Sequence, residues 1–461
     1  MERGRNMAYK VINPYSGKVV KEYELMSNGE IAERLDQAQN FYKAQKKVPV
    51  SERAKKLLEF AAILEKNQDK LATEAAINMG KRVAEGKGEI LLCANLARYY
   101  AEQGPDLLEP KPYAYAAGKK ALLEHHPIGI VVSIEPWNFP YSQVIRVLAP
   151  NYLLGNPVVL KHAGIVAGCA KLLEDLAIEA DLGAGAFANL FVSHDQIAEI
   201  IADERVQGVA LTGSEDAGRI IAGQAGKSLI KSTMELGGSD VFVILDDADL
   251  ELAINDAVGA RLRNAGQVCT SAKRYIVEKA VAAKFIAGIK QKFINIKLGD
   301  PLAEDTELAP LSSKDAVEGL QKQVEDAVAN GADVLVRGGS VQGNGYFFKP
   351  VVLTNIKPEN PAYYQEFFGP VAQVYVVSND EDVIELANDS FFGLAGAVYS
   401  QNVERAHVVA SEIETGQVFI NRPSGAYPEL PFGGVKHSGY GREMSDLGLY
   451  EFANEKIIVF N

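Results

Sequence analysis

The chain has 461 residues, 47% of them hydrophobic and 41 of them glycine, and its net charge is −13 at pH 7. This length exceeds one ordinary hydrophobic core, so we expect two or three domains in a globular, turn-rich protein. The acidic balance disfavours nucleic acid and anionic membranes as partners. No apolar run approaches the roughly 18 residues of a membrane-spanning helix, and no signal peptide precedes Met7. The first six residues look like an appended leader, because Met7 could itself be a start.

Cysteine and histidine usage bears on compartment and metal binding. The three cysteines, Cys93, Cys169 and Cys269, are far apart, which predicts no disulfide framework and a reducing compartment such as the cytoplasm. Cys93 and Cys169 stand in apolar helical contexts, so we expect them to be buried and inert. The six histidines form no His-Glu-x-x-His motif and no Cys/His cluster, so we expect no metal site.

The first quarter of the chain predicts helices, because apolar residues recur at spacings of three and four. The predicted helices are Ile31–Lys46, Ser51–Lys66 with Ser51 as N-cap, Asp69–Asn78 and Val83–Gln103. Residues 107–127 turn extended and resemble an edge ribbon. The apolar tail Glu455–Phe460 predicts a strand that docks elsewhere.

Strands and helices then alternate, which predicts a parallel sheet with helices on both faces. The first set is strand Gly129–Ile134, a helix after Tyr141, strand Val158–Leu160, helix Val166–Ala180, strand Leu190–Val192, helix Asp195–Ala202, strand Gly208–Leu211 and helix Ala217–Ala225. We place the crossing to a second domain at Gly237-Gly238. The second set is strand Val241–Leu245, helix Leu250–Leu262, strand Tyr275–Val277, helix Val281–Lys292, helix Lys314–Asn330, strands near Val334, at Phe348–Leu353 and at Ala372–Val377, helix Glu381–Asn388, strand Gly396–Tyr399, helix Val403–Ile413 and strand Val418–Ile420.

Cys269 ends the stretch Arg263-Asn264-Ala265-Gly266-Gln267-Val268-Cys269. Only the thiolate is a good nucleophile, so a catalytic cysteine needs a partly exposed, electropositive setting that lowers its pKa. Four basic residues lie nearby in sequence and predict such a setting: Arg261, Arg263, Lys273 and Arg274. Taken alone, a cysteine after an apolar residue is more often a small core residue.

Two further motifs favour catalysis. Glu235 ends a β-like segment before Gly237-Gly238, 34 residues upstream of Cys269, and Pro136-Trp137-Asn138-Phe139-Pro140 lies further upstream. In order and spacing these motifs resemble the aldehyde dehydrogenase superfamily, and the resemblance runs from Asn13 to Lys456. It implies that Cys269 is the nucleophile, Glu235 the general base and Asn138 an oxyanion donor.

A dinucleotide site also has candidates. Gly183-Ala184-Gly185-Ala186-Phe187-Ala188 matches G-x-G-x-x-A, but it follows a helix and precedes a strand, the reverse of the fingerprint, so we predict a loop. Thr212-Gly213-Ser214 ends a strand and opens a helix, where phosphate can bind, although a plain N-cap would look the same. The resemblance places this turn beside the pyrophosphate. It also assigns five further residues to the cofactor site: Trp137, Leu236, Gly237, Glu366 (nicotinamide ribose) and Phe368 (near the ring).

The residues expected at the adenosine end of the dinucleotide site bear on the choice between NADP and NAD. Lys161 ends a strand, and Gly164 replaces the glutamate that NAD-preferring relatives use to hold both ribose hydroxyls. Glycine leaves room for a 2′-phosphate and Lys161 can pair with it, so the sequence favours NADP, with NAD possible. His162 replaces the usual proline and could add a donor.

Two arginines bear on the substrate. Arg146 follows Asn138 by eight residues and Arg263 precedes Cys269 by six, and in succinate-semialdehyde dehydrogenases arginines at these offsets bind the distal carboxylate. Ordinary helix-surface pairing is the alternative. Ala426-Tyr427-Pro428 occupies the place where a small serine is common in the best-known relatives, which leaves the length of the substrate pocket open, and Tyr427 is the substrate-site candidate there. Residues 270–273 read Thr-Ser-Ala-Lys, so a second active-site cysteine is absent.

The sequence therefore predicts an α/β protein: a Rossmann-like parallel-sheet cofactor domain (1–107 and 128–236), an α/β catalytic domain (237–444) and a small β oligomerisation element (108–127 and 445–461). The resemblance implies NADP-linked oxidation of an aldehyde, foremost succinate semialdehyde, by a homodimer or homotetramer. Three alternatives stay open: another short anionic or neutral aldehyde, a cofactor-free cysteine hydrolase, and a non-catalytic relative.

Overall fold

The structure is a computed structural model that describes residues 9–115 and 120–460. The leader suggested for residues 1–6 lies outside the described residues. The helices of the described part are α1 Asn28–Gln45, α2 Val50–Lys66, α3 Gln68–Met79, α4 Val83–Leu107, α5 Ser142–Leu154, α6 Ala167–Glu179, α7 His194–Ile201, α8 Glu215–Ser228, α9 Leu250–Leu262, α10 Lys279–Ile294, α11 Lys314–Ala329, α12 Asp380–Asn388, α13 Val403–Glu412 and α14 Ser445–Tyr450.

The strands assort into two large sheets and smaller antiparallel pairings. They are β1 Tyr9–Ile12, β2 Val19–Tyr23, β3 Lys111–Ala114, β4 Lys120–Pro127, β5 Ile130–Glu135, β6 Val158–His162, β7 Phe187–Asn189, β8 Val206–Thr212, β9 Lys231–Glu235, β10 Val241–Ile244, β11 Arg274–Glu278, β12 Asp333–Val336, β13 Gly339–Ser340, β14 Phe348–Lys349, β15 Val351–Thr354, β16 Val371–Val377, β17 Phe392–Gly393, β18 Ala395–Tyr399, β19 Gln417–Ile420, β20 Val435–Lys436, β21 Gly439–Tyr440 and β22 Ala453–Val459.

The first large sheet has the order β21-β9-β8-β5-β6-β7. The strands β9, β8, β5, β6 and β7 are parallel to one another. The short β21 pairs antiparallel with β9, with Gly439 opposite Glu235. The sheet's central strands β5, β6 and β8 are almost wholly buried, as expected of a parallel sheet covered on both faces. The carboxyl ends of β9, β8, β5 and β6 therefore lie side by side, which is where open parallel sheets bind ligands.

The second sheet has the order β12-β15-β16-β11-β10-β18-β19, parallel except for β12. The strands β5 to β9 belong to the first sheet and the strands β10, β11, β18 and β19 to the second, so the chain changes sheet between Glu235 and Val241, on either side of Gly237-Gly238. Cys269 precedes β11 and Glu366 precedes β16, so both lie at the amino ends of their strands. The exact domain boundaries stay a prediction.

A third sheet joins the two distant segments expected to form one element. The tail strand β22 pairs antiparallel with β4, from Ala453 opposite Pro127 to Val459 opposite Ala121, and β4 pairs with β3. The prediction that the tail docks elsewhere as a strand is confirmed. Strand β22 is mostly exposed along its length, which leaves this small sheet facing outwards.

Two local predictions are wrong. Ser51 is not an N-cap, because α2 begins at Val50 after Pro49, whose extended ψ of 145° ends the preceding turn. The strand expected at Leu190–Val192 lies three residues earlier, at Phe187–Asn189, where it pairs with Val158–Leu160 of β6. The loop predicted over Gly183–Ala188 is confirmed for residues 183–186, whereas Phe187 and Ala188 belong to strand β7. Among the described residues, no helix is both long and apolar enough to cross a membrane.

Candidate active site

A cavity of about 270 Å³ brings the residues of five sequence motifs together. Its lining consists of Pro136, Trp137, Asn138, Gln143, Thr212, Gly213, Ser214, Leu236, Gly237, Cys269, Glu366 and Phe368. The first sheet supplies most of these residues from the carboxyl ends of β5, β8 and β9, and the second sheet supplies Cys269 and Glu366. A cleft of similar size beside Gly183–Gly185 lies at the amino end of β7 and carries no such set of residues.

The segment Arg263–Cys269, here named the cysteine loop, has an unusual backbone. Asn264 and Ala265 adopt left-handed conformations with φ of 50° and 53°, and Gly266 follows with φ of 76°. Two successive non-glycine residues in this region are uncommon and cost about 1–2 kcal/mol each. Main-chain and side-chain contacts offset this cost: the Gln267 amide donates to the Asn264 carbonyl at 3.1 Å, and the Ser312 N–H donates to Gln267 Oε1 at 2.9 Å.

Asn138 is fixed by both of its amide atoms. Its Nδ2 donates to the Gln267 carbonyl at 3.0 Å, and its Oδ1 accepts from Gln143 Nε2 at 3.1 Å. A primary amide carries two hydrogens, so Nδ2 keeps one for the cavity that it shares with Cys269. Its orientation is thus set before any ligand arrives, which is what a preorganised oxyanion donor requires.

The electrostatic setting of Cys269 differs from the expectation. Cys269 is partly exposed, but burial raises the pKa of its thiol to about 11, and Lys273 and Arg146 oppose this only in part. Two of the cations counted from the sequence point elsewhere. Arg261 donates to the carbonyls of Gly266 and Gly369, and Arg274 to that of Leu386. Counting the basic residues near Cys269 in the sequence therefore overestimated the positive charge at its thiol.

Lys273 is the basic residue that does support the loop. It is fully buried, and its Nζ donates to the carbonyls of Val268 at 2.9 Å and Cys269 at 2.5 Å. The same ammonium lies 2.9 Å from Glu366 Oε1. Gly238 packs against the other side, where a Cβ would stand 2.9 Å from the Cys269 carbonyl oxygen. The cysteine is thereby held between the two sheets.

Glu235 is buried, and within the described residues neither carboxylate oxygen has a hydrogen-bond partner. Burial, followed by the charge of Glu443, raises its pKa well above the ordinary value. A Cβ at Gly433 would stand 2.8 Å from Glu235 Oε1, so glycine is needed there to leave space for the carboxylate. A buried carboxyl with a raised pKa and no partner is suited to take a proton near neutral pH.

Arg146 is buried rather than open to the cavity. Its Nε lies 3.0 Å from Glu443 Oε2, close enough for an ion pair although not aligned as a hydrogen bond. Its guanidinium carbon lies 4.6 Å from the Phe432 ring centroid. One side of this cation is therefore already neutralised by Glu443, a residue to which the sequence gave no role.

Arg263 is exposed and, among the described residues, forms no ion pair. Its guanidinium carbon lies 5.4 Å from the Phe139 ring centroid, and its side chain lines a second cavity of about 180 Å³ with Thr270 and Ser424. Tyr427 does not line the first cavity, and its hydroxyl accepts a hydrogen bond from Arg422. The structure thus separates the three predicted substrate residues: Arg146 is paired with Glu443, Arg263 is exposed, and Tyr427 contacts Arg422.

The turn Thr212–Ser214 has the form needed to cradle a phosphate. Ser214 is the N-cap of α8, and its hydroxyl accepts from the Ala217 N–H at 3.3 Å. The Gly213 N–H donates to the Glu235 carbonyl at 2.9 Å, which ties the turn to the end of β9. A Cβ at Gly237 would stand 2.4 Å from Glu366 Oε2, so this glycine keeps the space beside Glu366 open. These features fit a dinucleotide.

The adenosine end is shaped by Tyr9 as well as by the predicted residues. The Tyr9 ring packs on Gly164, where an added Cβ would meet it at 3.4 Å, and Lys161 Nζ lies 6.0 Å from the ring centroid. Burial lowers the pKa of Lys161, which has no carboxylate partner in the described residues. Lys161 is therefore a cation without a counter-ion at the end of β6.

His162 does not fit its expected role as a cofactor donor. Its Nε2 donates to the Pro140 carbonyl at 2.9 Å, and its Nδ1 accepts from the Ala163 N–H at 2.9 Å. Burial lowers the pKa of the ring to about 4, so it is neutral at pH 7. Both nitrogens are used by the main chain, and we correct the assignment: His162 fastens the segment Pro136–Pro140, here named the asparagine loop, to β6.

Phe368 and Trp137 form an edge-to-face pair, with ring centroids 5.7 Å apart, at the mouth of the cavity. Leu236 joins the same wall, and its N–H donates to the Ser438 carbonyl at 3.0 Å. The described part of the chain contains no group of three or more His, Cys, Asp or Glu side chains placed to hold a metal ion. Cys93 and Cys169 are fully buried, as predicted.

With the geometry in place, comparison with known proteins identifies the class. Residues 2–458 match the aldehyde dehydrogenase family, and the chain belongs to that family. The fold and family predicted from the sequence are confirmed.

The particular relatives are consistent with one another. The chain is 43% identical to succinate-semialdehyde dehydrogenase (NADP(+)) of Deinococcus radiodurans, over 98% of this chain and 94% of the relative. It is 38% identical to succinate semialdehyde dehydrogenase (NAD(P)+) Sad of Escherichia coli K12, over 96% of each. The crystal structure of succinic semialdehyde dehydrogenase from Streptococcus pyogenes in complex with NADP+ superposes with a TM-score of 0.96 and 44% identity, covering 98% of this chain and 99% of that one.

Proposed function

We propose that the protein oxidises succinate semialdehyde to succinate with NADP+ as the hydride acceptor. The observation that carries this proposal is the single cavity in which Cys269 and Asn138 meet the phosphate-cradling turn Thr212–Ser214. The relatives named for this substrate and cofactor span nearly the whole chain and support the same assignment.

The chain's residues have distinct roles in this reaction. The Cys269 thiol, whose pKa is raised, first loses its proton to water. The thiolate then adds to the aldehyde carbon, and the resulting oxyanion accepts hydrogen bonds from the free Asn138 amide hydrogen and the Cys269 N–H. Bound NADP+ supplies the hydride acceptor. After the hydride leaves, the substrate carbon is held to Cys269 as a thioester. Glu235 then takes a proton from water, the hydroxide attacks the thioester, and the acid departs as the thiolate is restored.

The cofactor is assigned to a row of residues along the carboxyl ends of the first sheet. Lys161 would pair with the 2′-phosphate, because Gly164 leaves room that a glutamate would fill with negative charge. Gly213 and Ser214 would hold the pyrophosphate at the N-terminus of α8. Glu366 would hold the nicotinamide ribose, and Trp137, Leu236, Gly237 and Phe368 would line the nicotinamide end.

Arg263 is the better placed of the two candidate cations for the distal carboxylate. Its guanidinium is exposed and unpaired in the described residues, whereas Arg146 is already paired with Glu443. Arg146 would then contribute charge from behind the pocket rather than a direct fork. Tyr427 does not line the cavity and would influence the substrate only indirectly, through Arg422.

Assembly and location complete the proposal. The outward-facing sheet of β3, β4 and β22 is a surface through which subunits could pair as a homodimer or homotetramer. Three free cysteines, with two of them fully buried, suit a reducing compartment, and we assign the protein to the cytoplasm.

The test is a product balance. Purified protein is incubated with succinate semialdehyde and NADP+, and succinate and reduced cofactor are both quantified, with Cys269→Ala as the matched control. We expect one reduced cofactor per succinate and no turnover by the control. Ester hydrolysis by dialysed protein, with neither succinate nor reduced cofactor formed from the aldehyde, would instead favour the cofactor-free hydrolase, and turnover by Cys269→Ala would remove the cysteine from the mechanism.

A further inference from the structure

The start of helix α4 lies against both catalytic loops, although the sequence assigns it no function. Glu85 and Glu89 are four residues apart on this helix and therefore project from the same face. Glu85 Oε1 accepts the main-chain N–H of Asn264 at 3.0 Å. Glu89 Oε1 accepts the main-chain N–H groups of Tyr141 and Ser142 at 2.8 and 2.9 Å.

The two glutamates contact the two halves of the proposed oxyanion site: Glu85 contacts the loop that carries Cys269, and Glu89 contacts the residues that follow the loop carrying Asn138. Asn264 belongs to the cysteine loop, and its side chain donates to the Asn138 carbonyl at 2.9 Å. Tyr141 and Ser142 directly follow the asparagine loop and begin α5. One helix face thus holds the loop that carries Cys269 and the loop that carries Asn138, while Asn264 joins the two loops directly.

The contact of Glu85 is made where the cysteine loop is least favourable by itself. Asn264 and Ala265 have left-handed backbone conformations, which non-glycine residues adopt at a cost. The Asn264 N–H is part of that turn and is accepted by a carboxylate, a stronger acceptor than a neutral group. Without it the turn is free to relax towards ordinary backbone angles, and Gln267, which aligns the Asn138 amide, would move with it.

Helix α4 is itself rigidly seated. A Cβ on Gly86 would stand 3.0 Å from Ala72 of α3, so the two helices are in close contact there. The second oxygen of Glu89 pairs with Lys81 in a buried salt bridge, and Lys81 Nζ lies 3.9 Å from the Phe139 ring centroid. The helix can therefore transmit a fixed spacing to the loops that rest on it.

We infer that Glu85 and Glu89 are positioning residues that hold Cys269 and Asn138 at the separation needed to stabilise the oxyanion. Neither carboxylate lines the cavity, so they act through Asn264 and through the start of α5. This inference rests on the oxyanion role proposed for Asn138. A purely structural alternative exists, because an acidic residue in the first turn of a helix stabilises that helix through its dipole.

The test compares Glu85→Ala with the conservative Glu85→Gln, whose amide oxygen can still accept the Asn264 N–H. Glu102→Ala, an exposed glutamate on the same helix, is the matched control. Single-turnover formation of NADPH is followed with enzyme in excess over succinate semialdehyde, so that thioester hydrolysis does not limit the signal. Active sites are counted with a thiol reagent, since Cys93 and Cys169 are fully buried.

We expect Glu85→Ala to slow the single-turnover rate about tenfold per titrated site, a fraction of the 10²–10³ that loss of a whole oxyanion donor costs. The enzyme concentration at half-maximal single-turnover rate should change by less than about twofold, because the carboxylate of the substrate is bound elsewhere. Glu85→Gln and Glu102→Ala should stay within about twofold of the unmodified protein. Together these results would separate positioning from general destabilisation.

If Glu85→Ala has a lowered melting temperature but an unchanged single-turnover rate, the inference is wrong. Glu85 would then only stabilise helix α4 through the helix dipole. If Glu85→Ala does not fold, the pair Lys81→Met with Glu89→Met removes both buried charges and the acceptor of the Tyr141 and Ser142 N–H groups, and a normal rate in that variant would overturn the inference equally. Absence of any NADPH signal in the unmodified protein would instead refute the proposed function.

Discussion

Replacing Arg263 with glutamine tests how the substrate's distal carboxylate is recognised. The guanidinium of Arg263 is exposed and has no ion-pair partner in the described residues, so its donors are available to a ligand. A charged hydrogen bond contributes about 1.5–3 kcal/mol, which corresponds to about 10- to 150-fold in kcat/KM. Solvent weakens such contacts at exposed positions, so we expect the lower end, about tenfold.

The assay measures kcat and KM for succinate semialdehyde and for butanal, an uncharged aldehyde of similar length. The loss in Arg263→Gln should appear in KM for the charged substrate, because the carboxylate keeps its charge throughout the reaction. Butanal should be nearly unaffected or improved. An equal loss on both substrates would show that Arg263 acts structurally, and the substrate assignment would then fall while the aldehyde chemistry stood.

Arg146→Gln should behave differently, and the contrast is informative. Its removal leaves Glu443 buried without its cation, and breaking a buried pair costs about 3–5 kcal/mol. Both substrates and the folding stability should therefore suffer. If instead Arg146→Gln impairs only the charged substrate, the two arginines grip one carboxylate, and the double variant should lose less than the sum of the single losses.

Three further predictions concern the base, the cofactor and acid stability. Glu235→Gln should slow thioester hydrolysis more than acylation, so a burst of reduced cofactor should persist; a normal steady-state rate would remove Glu235 as the base. Lys161→Ala should impair NADP+ more than NAD+, and Gly164→Glu should do so more strongly; equal effects on both cofactors would contradict the 2′-phosphate assignment. His162 has a folded pKa of about 4, below the ordinary 6.5, so it favours the unfolded state increasingly as pH falls from 6.5 to 4. The full effect is about 3 kcal/mol, and urea denaturation of His162→Gln should show a shallower loss of stability over that window. An unchanged pH dependence would exclude His162 as the source.

The places of the three candidate catalytic residues in the fold could be predicted from the sequence because their signals are local. Cys269, Glu235 and Asn138 each follow a strand or turn that single-chain patterns reveal, and parallel strands bring their ends to a shared edge. The change of sheet at Gly237-Gly238 could be seen for the same reason: strand and helix periodicity restarts there.

The sequence could not predict contacts that close over long separations. Glu85 and Asn264 are 179 residues apart, and nothing in either neighbourhood indicates that they meet. Arg146 was predicted to bind the substrate. The sequence could not show its ion pair with Glu443, because Glu443 lies near the other end of the chain. A signal for Asn264 was available, since asparagine before alanine and glycine tolerates the left-handed backbone.

Two wrong expectations share one physical cause, which is desolvation. Counting basic residues beside Cys269 predicted a lowered pKa, but burial raises it to about 11 and two of the cations serve carbonyl groups. His162 looked like a free donor at a strand end, but burial against the asparagine loop uses both ring nitrogens. Burial and side-chain direction decide such cases, and neither can be read from sequence spacing.

The central claim is tested most directly by one set of rate measurements on the unmodified protein. The value of kcat/KM is determined for succinate semialdehyde and butanal with NADP+ and with NAD+, from the absorbance of the reduced cofactor. We expect the pair of succinate semialdehyde and NADP+ to exceed each of the other three by at least tenfold, about 1.4 kcal/mol in transition-state binding. A preference for butanal, or a tenfold preference for NAD+, would contradict the account.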